Sequence, residues 1–173
     1  MPWNLDPTHS ALEFGVKHMV LTTVKGKFRS FAVDANIDEA DLANSSATIT
    51  IDAGSVDTGE NDRDNHLRSA DFFDAENHPQ LIFVTKRLEP KGGEYRIVGD
   101  LTIRGVTKEV ALEGEVTGPL KDPWGNMRAG ISAETKISRK DFGLTWNAAL
   151  EMGGVVVGDA VKLAIDIELV KAA

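Results

Sequence analysis

The strongest constraint in this chain is a period of two. Ala47, Ile49, Ile51 and Ala53 alternate with Thr48, Thr50 and Asp52. Tyr95, Ile97, Gly99, Leu101 and Ile103 alternate with Arg96, Asp100 and Thr102, with Val98 as the one apolar exception. Val106, Val110, Leu112 and Val116 are interleaved with Thr107, Glu109, Glu113, Glu115 and Thr117. Ala129, Ile131, Ala133 and Ile137 follow the same rule against Arg128, Ser132, Glu134 and Lys136, as do Val161, Leu163, Ile165, Ile167 and Leu169 against Lys162, Asp166 and Glu168. Successive side chains of a strand point to opposite faces, so each segment is a strand with one wet and one dry side. Three further strands are patterned less cleanly. Leu12, Phe14 and Val16 face away from Glu13 and Lys17. Residues 26–37 are apolar on both parities, which predicts a bulge or cover on both faces. Residues 80–89 set Leu81 and Phe83 against Ile82 and Val84.

Eight strands result, separated by turn chemistry at Pro90-Lys91-Gly92-Gly93, Arg104-Gly105 and Asp122-Pro123-Trp124-Gly125-Asn126. Such short connections favour antiparallel neighbours. Helical signal is confined to two short stretches, residues 17–24 and residues 61–70, the second crossing between the third and fourth strands. Strands that are dry on one face must close on themselves or pair as a sandwich. The prediction is an all-β fold: a single domain over residues 1–173, an eight-stranded antiparallel up-and-down β-barrel with one or two short helices. A two-sheet sandwich is the alternative.

A barrel of eight strands is either filled by its own side chains or holds one small ligand. The inward set includes Ala47, Ala53, Gly99, Gly114, Ala129 and Ala133, too small to reach the axis, and the chain has only seven Phe, three Trp and one Tyr. One reading is a packed core in which small residues face large ones. The other is an apolar tube along the axis, about 30 Å long for strands of roughly ten residues, suited to an extended hydrocarbon chain. Residues 144–155, apolar, Gly-containing and without clean alternation, are expected to form a lid or line the mouth, or else to plug the core or make a subunit contact.

The 19 Lys and Arg against 27 Asp and Glu leave a formal charge of −8, which argues against nucleic acid or an anionic membrane surface as a partner. The absence of Cys removes disulfides, thiolate nucleophiles and Cys-ligated metals. No apolar run approaches the ~20 residues of a membrane span, and the first residues lack the basic and apolar stretches of a secretory signal. The expected compartment is therefore the cytoplasm, with the periplasm as the alternative for a chain beginning at a mature terminus.

Several motifs, in this order and spacing, resemble one bacterial family, the YceI-like proteins. They are Trp3-x-Leu5-Asp6-Pro7-x-His9-Ser10, then Phe14, Val16, Lys17 and His18, then Gly26-Lys27-Phe28. Arg63-Asp64-Asn65-His66-Leu67 follows with Asp71-Phe72-Phe73-Asp74, and then Gly99-Asp100-Leu101-Thr102-Ile103-Arg104-Gly105-Val106-Thr107. Near the end come Ser138-Arg139-Lys140-Asp141-Phe142-Gly143-Leu144 and Val157-Gly158-Asp159. The similarity spans essentially the whole chain. It implies a lipocalin-like barrel with a long apolar cavity, and a non-enzymatic role in binding, storing or transporting a long-chain isoprenoid such as a prenyl quinone or polyprenyl phosphate. It also implies that a homodimer is a common assembly. No cofactor is expected beyond such a bound lipid.

The residues expected to line the tube are Phe14, Val16, Phe28, Phe83, Leu101, Ile103, Ile131, Trp146 and Met152, with His18 at its mouth. Ordinary core packing would produce the same pattern. Arg63 and His66 are head-group candidates, because Arg offers a planar fork of donors and His can donate or titrate. The competing reading of Arg63-Asp64-x-His66 is a helix start, capped by Asn61 or Asp62, with Asp64 near the positive end and Arg63 paired to a carboxylate nearby. Four scattered His without H-E-x-x-H make no convincing metal site, and Asp62-Arg63-Asp64-Asn65 lacks the Gly and distal Glu of a calcium loop. No nucleophile elbow, phosphate loop or dinucleotide fingerprint is present, so catalysis is not expected. An enzyme modifying an isoprenoid lipid and a filled barrel serving as a dimeric interaction module are the rival functions.

Overall fold

The computed structural model of the protein describes residues 2–147 and 156–172. Its strand segments are β1 (Trp3–Leu5), β2 (Ala11–His18), β3 (Thr22–Phe28), β4 (Phe31–Asn36), β5 (Ser46–Asp52), β6 (Val56–Asp57), β7 (Gln80–Lys91), β8 (Glu94–Ile103), β9 (Val106–Lys121), β10 (Met127–Ser138) and β11 (Val157–Lys171). Three pairs of these are halves of single staves. β1 and β2 both pair with β11, on successive stretches of it. β3 pairs with β2 and β6, whereas β4 pairs with β1 and β5. The remaining ladders run β5–β7–β8–β9–β10–β11, all antiparallel. Eight staves in up-and-down order therefore close into a barrel, the expected architecture.

The segments with mixed parity are explained by breaks in the ladder. In residues 26–37 the inward set switches from Gly26 and Phe28 to Phe31, Val33 and Ala35, because Arg29 and Ser30 step out between β3 and β4. In β7 the register shifts between Thr85 and Arg87, so Leu81 and Phe83 face in before it and Leu88 after it. One expected helix is corrected. Residues 17–24 are the end of β2, a tight turn and the start of β3. Val20, Thr22, Thr23 and Val24 are β-branched, a composition that suits a pleated surface better than a helix. The turn places Met19 and Val20 at φ 52° and 63°, with the Leu21 N–H donating to the His18 carbonyl at 3.0 Å. Left-handed backbone costs a non-glycine residue roughly 1–2 kcal/mol, and a β-branched one is unusual there. The other helix forms as α1 (Asn61–Arg68) and lies between β6 and β7.

The barrel interior has two regimes. Toward the end that carries β1, Trp3, Ile49, Phe83, Leu88, Ile97, Leu101, Leu112 and Leu169 are buried together, and none of them lines the cavity at the other end. Gly99 does not leave a hole there. A Cβ at Gly99 would sit 2.6 Å from Cζ of Phe83, so the Phe ring of the neighbouring strand already occupies that space. The expectation of an open tube along the whole axis is thus corrected. The predominantly apolar cavity described below lies at the opposite end.

Candidate functional site: an apolar cavity at the helix end of the barrel

A cavity of about 420 Å³ occupies the barrel end beneath α1, within the ~300–1,000 Å³ typical of small-molecule sites. Its wall is built from the dry parity of strand ends. Phe14 and Val16 come from β2, Val24 and Phe28 from β3, Ile137 from β10, and Val161 and Leu163 from β11. Aromatic side chains form a connected lining. Phe14 and Phe28 have ring centroids 5.6 Å apart, and Phe73 meets Phe28 edge-on at 5.7 Å. The Phe14 ring lies over Gly26, where a Cβ would come within 2.4 Å of Cζ. That glycine lets the ring lie flat along the wall.

α1 supplies the polar rim. Its N-cap is Glu60, whose carboxylate accepts from the N–H groups of Asp62 at 3.1 Å and Arg63 at 2.9 Å. The expected caps, Asn61 and Asp62, are therefore displaced by one or two positions. Asp64 is buried, 5 % exposed, and accepts from the Thr58 N–H at 2.8 Å and the Thr58 hydroxyl at 2.6 Å. Arg63 donates to Thr58 Oγ1 at 2.7 Å and to its carbonyl at 2.9 Å, rather than pairing with a carboxylate. His66 Nε2 lies 2.9 Å from Asp71 Oδ2, and its ring stands edge-on to Phe72 at 5.0 Å and to Trp146 at 4.6 Å. His66–Asp71 is an oriented pair. However, the described wall contains no Ser, Thr, Tyr or Cys for it to activate.

Arg139 is the rim residue that motif reading did not nominate. It is 4 % exposed and makes no ion pair among the described residues. Its guanidinium donates to the carbonyls of Gly158 at 2.8 Å, Leu144 at 2.7 Å, Trp146 at 2.9 Å and Val157 at 3.2 Å. Desolvation pushes its pKa below the usual arginine range. A signal existed: Arg139 continues the dry parity of Ala133 and Ile137, where a charge is out of place. Phe72 and Phe73, side by side between two acids directly after the helix, are further lining residues that strand alternation does not mark.

Of the expected tube residues, Phe14, Val16, His18, Phe28, Ile103 and Trp146 reach this cavity, and both head-group candidates, Arg63 and His66, stand at its rim. Phe83, Leu101 and Ile131 do not reach it. Phe83 and Leu101 are buried in the filled half and Ile131 packs against that cluster, because alternation assigns a residue to the inner face without assigning a depth. Met152 and most of the expected lid lie outside the described residues. The lining charges differ from the chain's. Among the described lining residues Lys17, Arg63 and Arg139, with His18 and His66, are set against a single carboxylate, Asp62.

A second polar cluster sits where β1, β2 and β11 meet. Asp6, His9 and Glu168 offer ligand atoms within 4.8 Å of one another. Arg128 Nη1 is already 2.8 Å from Asp6 Oδ2 and 2.9 Å from Glu168 Oε2, while its Nε reaches Asp122 at 2.7 Å. The arginine neutralises the carboxylates a cation would need, so the cluster is an ion-pair network that ties the barrel seam. The hydrogen bond and charge of Asp6 raise the His9 pKa above its ordinary 6.5, and the bonds from His9, Thr8 and Arg128 hold Asp6 well below the usual carboxylate range. The His9 contribution is therefore fully present below pH ~6.5 and is lost as pH rises through the elevated value. The melting-temperature gap between the parent and His9→Asn should be widest in mild acid and close above that pKa. A gap that is constant from pH 5.5 to 9 contradicts this.

The chain matches the YceI-like domain over residues 3–169. It is 42% identical over 161 residues to a UPF0312 protein of Staphylococcus epidermidis, covering 92% of each chain. Among solved structures it is similar to BcnA of Burkholderia cenocepacia, with a TM-score of 0.82, 25% identity, and coverage of 95% of this chain and 99% of that one. It is also similar in fold to a polyisoprenoid binding domain of Saccharophagus degradans implicated in plant cell wall breakdown, with a TM-score of 0.66, 15% identity and 98% of both chains covered.

Proposed function

We propose that this chain, which belongs to the YceI-like family, is a non-enzymatic binder of an isoprenoid-type amphiphile whose hydrocarbon tail enters the end cavity and whose head group stays at the Arg63–His66–Arg139 rim. The observation that carries this reading is the cavity itself: an aromatic and aliphatic pocket of about 420 Å³ whose few polar lining groups come from the end of β2, α1 and Arg139. The similarity in fold to the Saccharophagus degradans domain supports the isoprenoid class. Tail burial contributes about 0.8 kcal/mol per methylene before ordering costs. The filled half of the barrel limits the tail to the segment that this end accommodates.

Mass spectrometry of an organic extract from gently purified protein tests the proposal, together with uptake of a prenyl quinone and a polyprenyl phosphate by the stripped protein. The expected result is a tailed amphiphile at near one per chain, recovered chemically unchanged after long incubation. Neither co-purification nor uptake after loading would sink it, and turnover abolished by His66→Ala would move the chain to the enzymes.

A further inference from the structure

The β2–β3 hairpin carries a surface that neither the barrel nor the cavity explains. At its tip Val20 is 74 % and Leu21 78 % exposed, among the largest apolar exposures of the described residues. The turn that presents them places Met19 and Val20 in left-handed backbone, where Asn or Gly would be unstrained. One face of the hairpin, through Phe14, Val16, His18 and Val24, is the cavity wall. The other face carries Lys25 and Lys27, with Glu13 across the strand from Lys27 and Lys17 at the cavity edge, and none of the three lysines is in an ion pair among the described residues. Residues 14–33, between Glu13 and Asp34, hold four of the chain's 19 basic residues and none of its 27 acidic ones, and of the four only Arg29 is paired, with Asp57 of β6.

We propose that this hairpin docks the protein on an anionic lipid bilayer, the Val20–Leu21 tip entering the interface and Lys17, Lys25 and Lys27 meeting the acidic head groups. The whole-chain charge of −8 points away from such a partner, but its distribution decides otherwise. Screening over ~8 Å at physiological salt lets a local basic face act apart from distant acids, and those acids turn the hairpin end toward the surface. Apolar tip and basic flank together are the pattern of an interfacial anchor. Docking would bring the cavity wall on the same hairpin to the head-group layer. This goes beyond the amphiphile proposal and stands without it, because surface binding needs no ligand in the cavity.

The test is co-sedimentation of the full chain with vesicles of phosphatidylcholine alone or mixed equally with phosphatidylglycerol, at low and physiological salt. Binding is expected only to the anionic vesicles and is expected to fall as salt rises. Lys25→Gln and Lys27→Gln should each weaken it about fivefold, the equivalent of roughly one lysine at an anionic surface. Val20→Asn with Leu21→Ser should weaken it at least tenfold. The same double variant relieves the strained turn, so it should melt no lower than the parent and keep its uptake of a prenyl quinone in solution. No binding by the parent, equal binding to neutral vesicles, or binding indifferent to the double variant would overturn the proposal. Uptake in solution reports separately on the cavity.

Discussion

Arg139→Met should destabilise the protein by about 3 kcal/mol and release the segment that leads to Trp146. The arginine is the sole donor, among the described residues, to the carbonyl of Leu144, and it also serves those of Trp146 and Gly158. Each acceptor left unpaired out of water costs about 1–3 kcal/mol. The Val157 carbonyl keeps a second donor in Asn147 Nδ2 at 2.7 Å, which limits the loss. Methionine fills much of the volume, so the effect reports hydrogen bonding rather than a void. Arg139→Lys should recover only part of it, because an ammonium is a point donor and the site is a planar fork between separate carbonyls. Urea midpoints at constant slope give the comparison. A loss below about 1 kcal/mol for Arg139→Met would mean that the fork is not what holds the segment. Amphiphile retention should fall along with stability, since Trp146 is the side chain that meets His66 and Phe72 across the rim.

Filling the cavity should separate binding from stability in the opposite way. Val16→Trp places a large ring on β2 where the parent has open space, between Val24 and Val161 on the flanking strands. The usual overpacking cost of about 1–3 kcal/mol should not arise there, and the melting temperature should hold. Uptake of a prenyl quinone should fall by tenfold or more, because excluding even two methylenes forfeits about 1.6 kcal/mol. Leu101→Trp is the control. Leu101 is buried in the filled half, so the same ring should lower stability by the overpacking cost. Undiminished uptake by Val16→Trp would show that the tail does not use this end of the barrel.

The two halves of the barrel explain how far the site could be read in advance. The inward parity of Phe14, Val16 and Phe28 was legible because it follows from neighbours two residues apart. Phe83, Leu101 and Ile131 carry the same signature, yet they belong to the packed half. What separates the groups is which of them the cavity reaches, because a ring lies over a glycine in both places, Phe83 over Gly99 and Phe14 over Gly26. Arg139 is the converse case. Its position on the dry parity was visible, but its partners are carbonyls 5 to 19 residues away, brought together only where β10, the segment after it and β11 converge.

Sequence alone therefore determined the all-β class, the eight staves, their antiparallel order and the helix between the third and fourth of them, together with the family resemblance. These follow from local rules: period-two burial, turn residues and short connections. Tertiary structure alone decided which end is hollow, which rings line it, how Arg63 and Arg139 are held, and that an apolar tip and a basic face share one hairpin. Those properties depend on which side chain of one stave meets which gap in the next. Strand alternation specifies a face and leaves depth along the barrel to the packing of residues far apart in the chain.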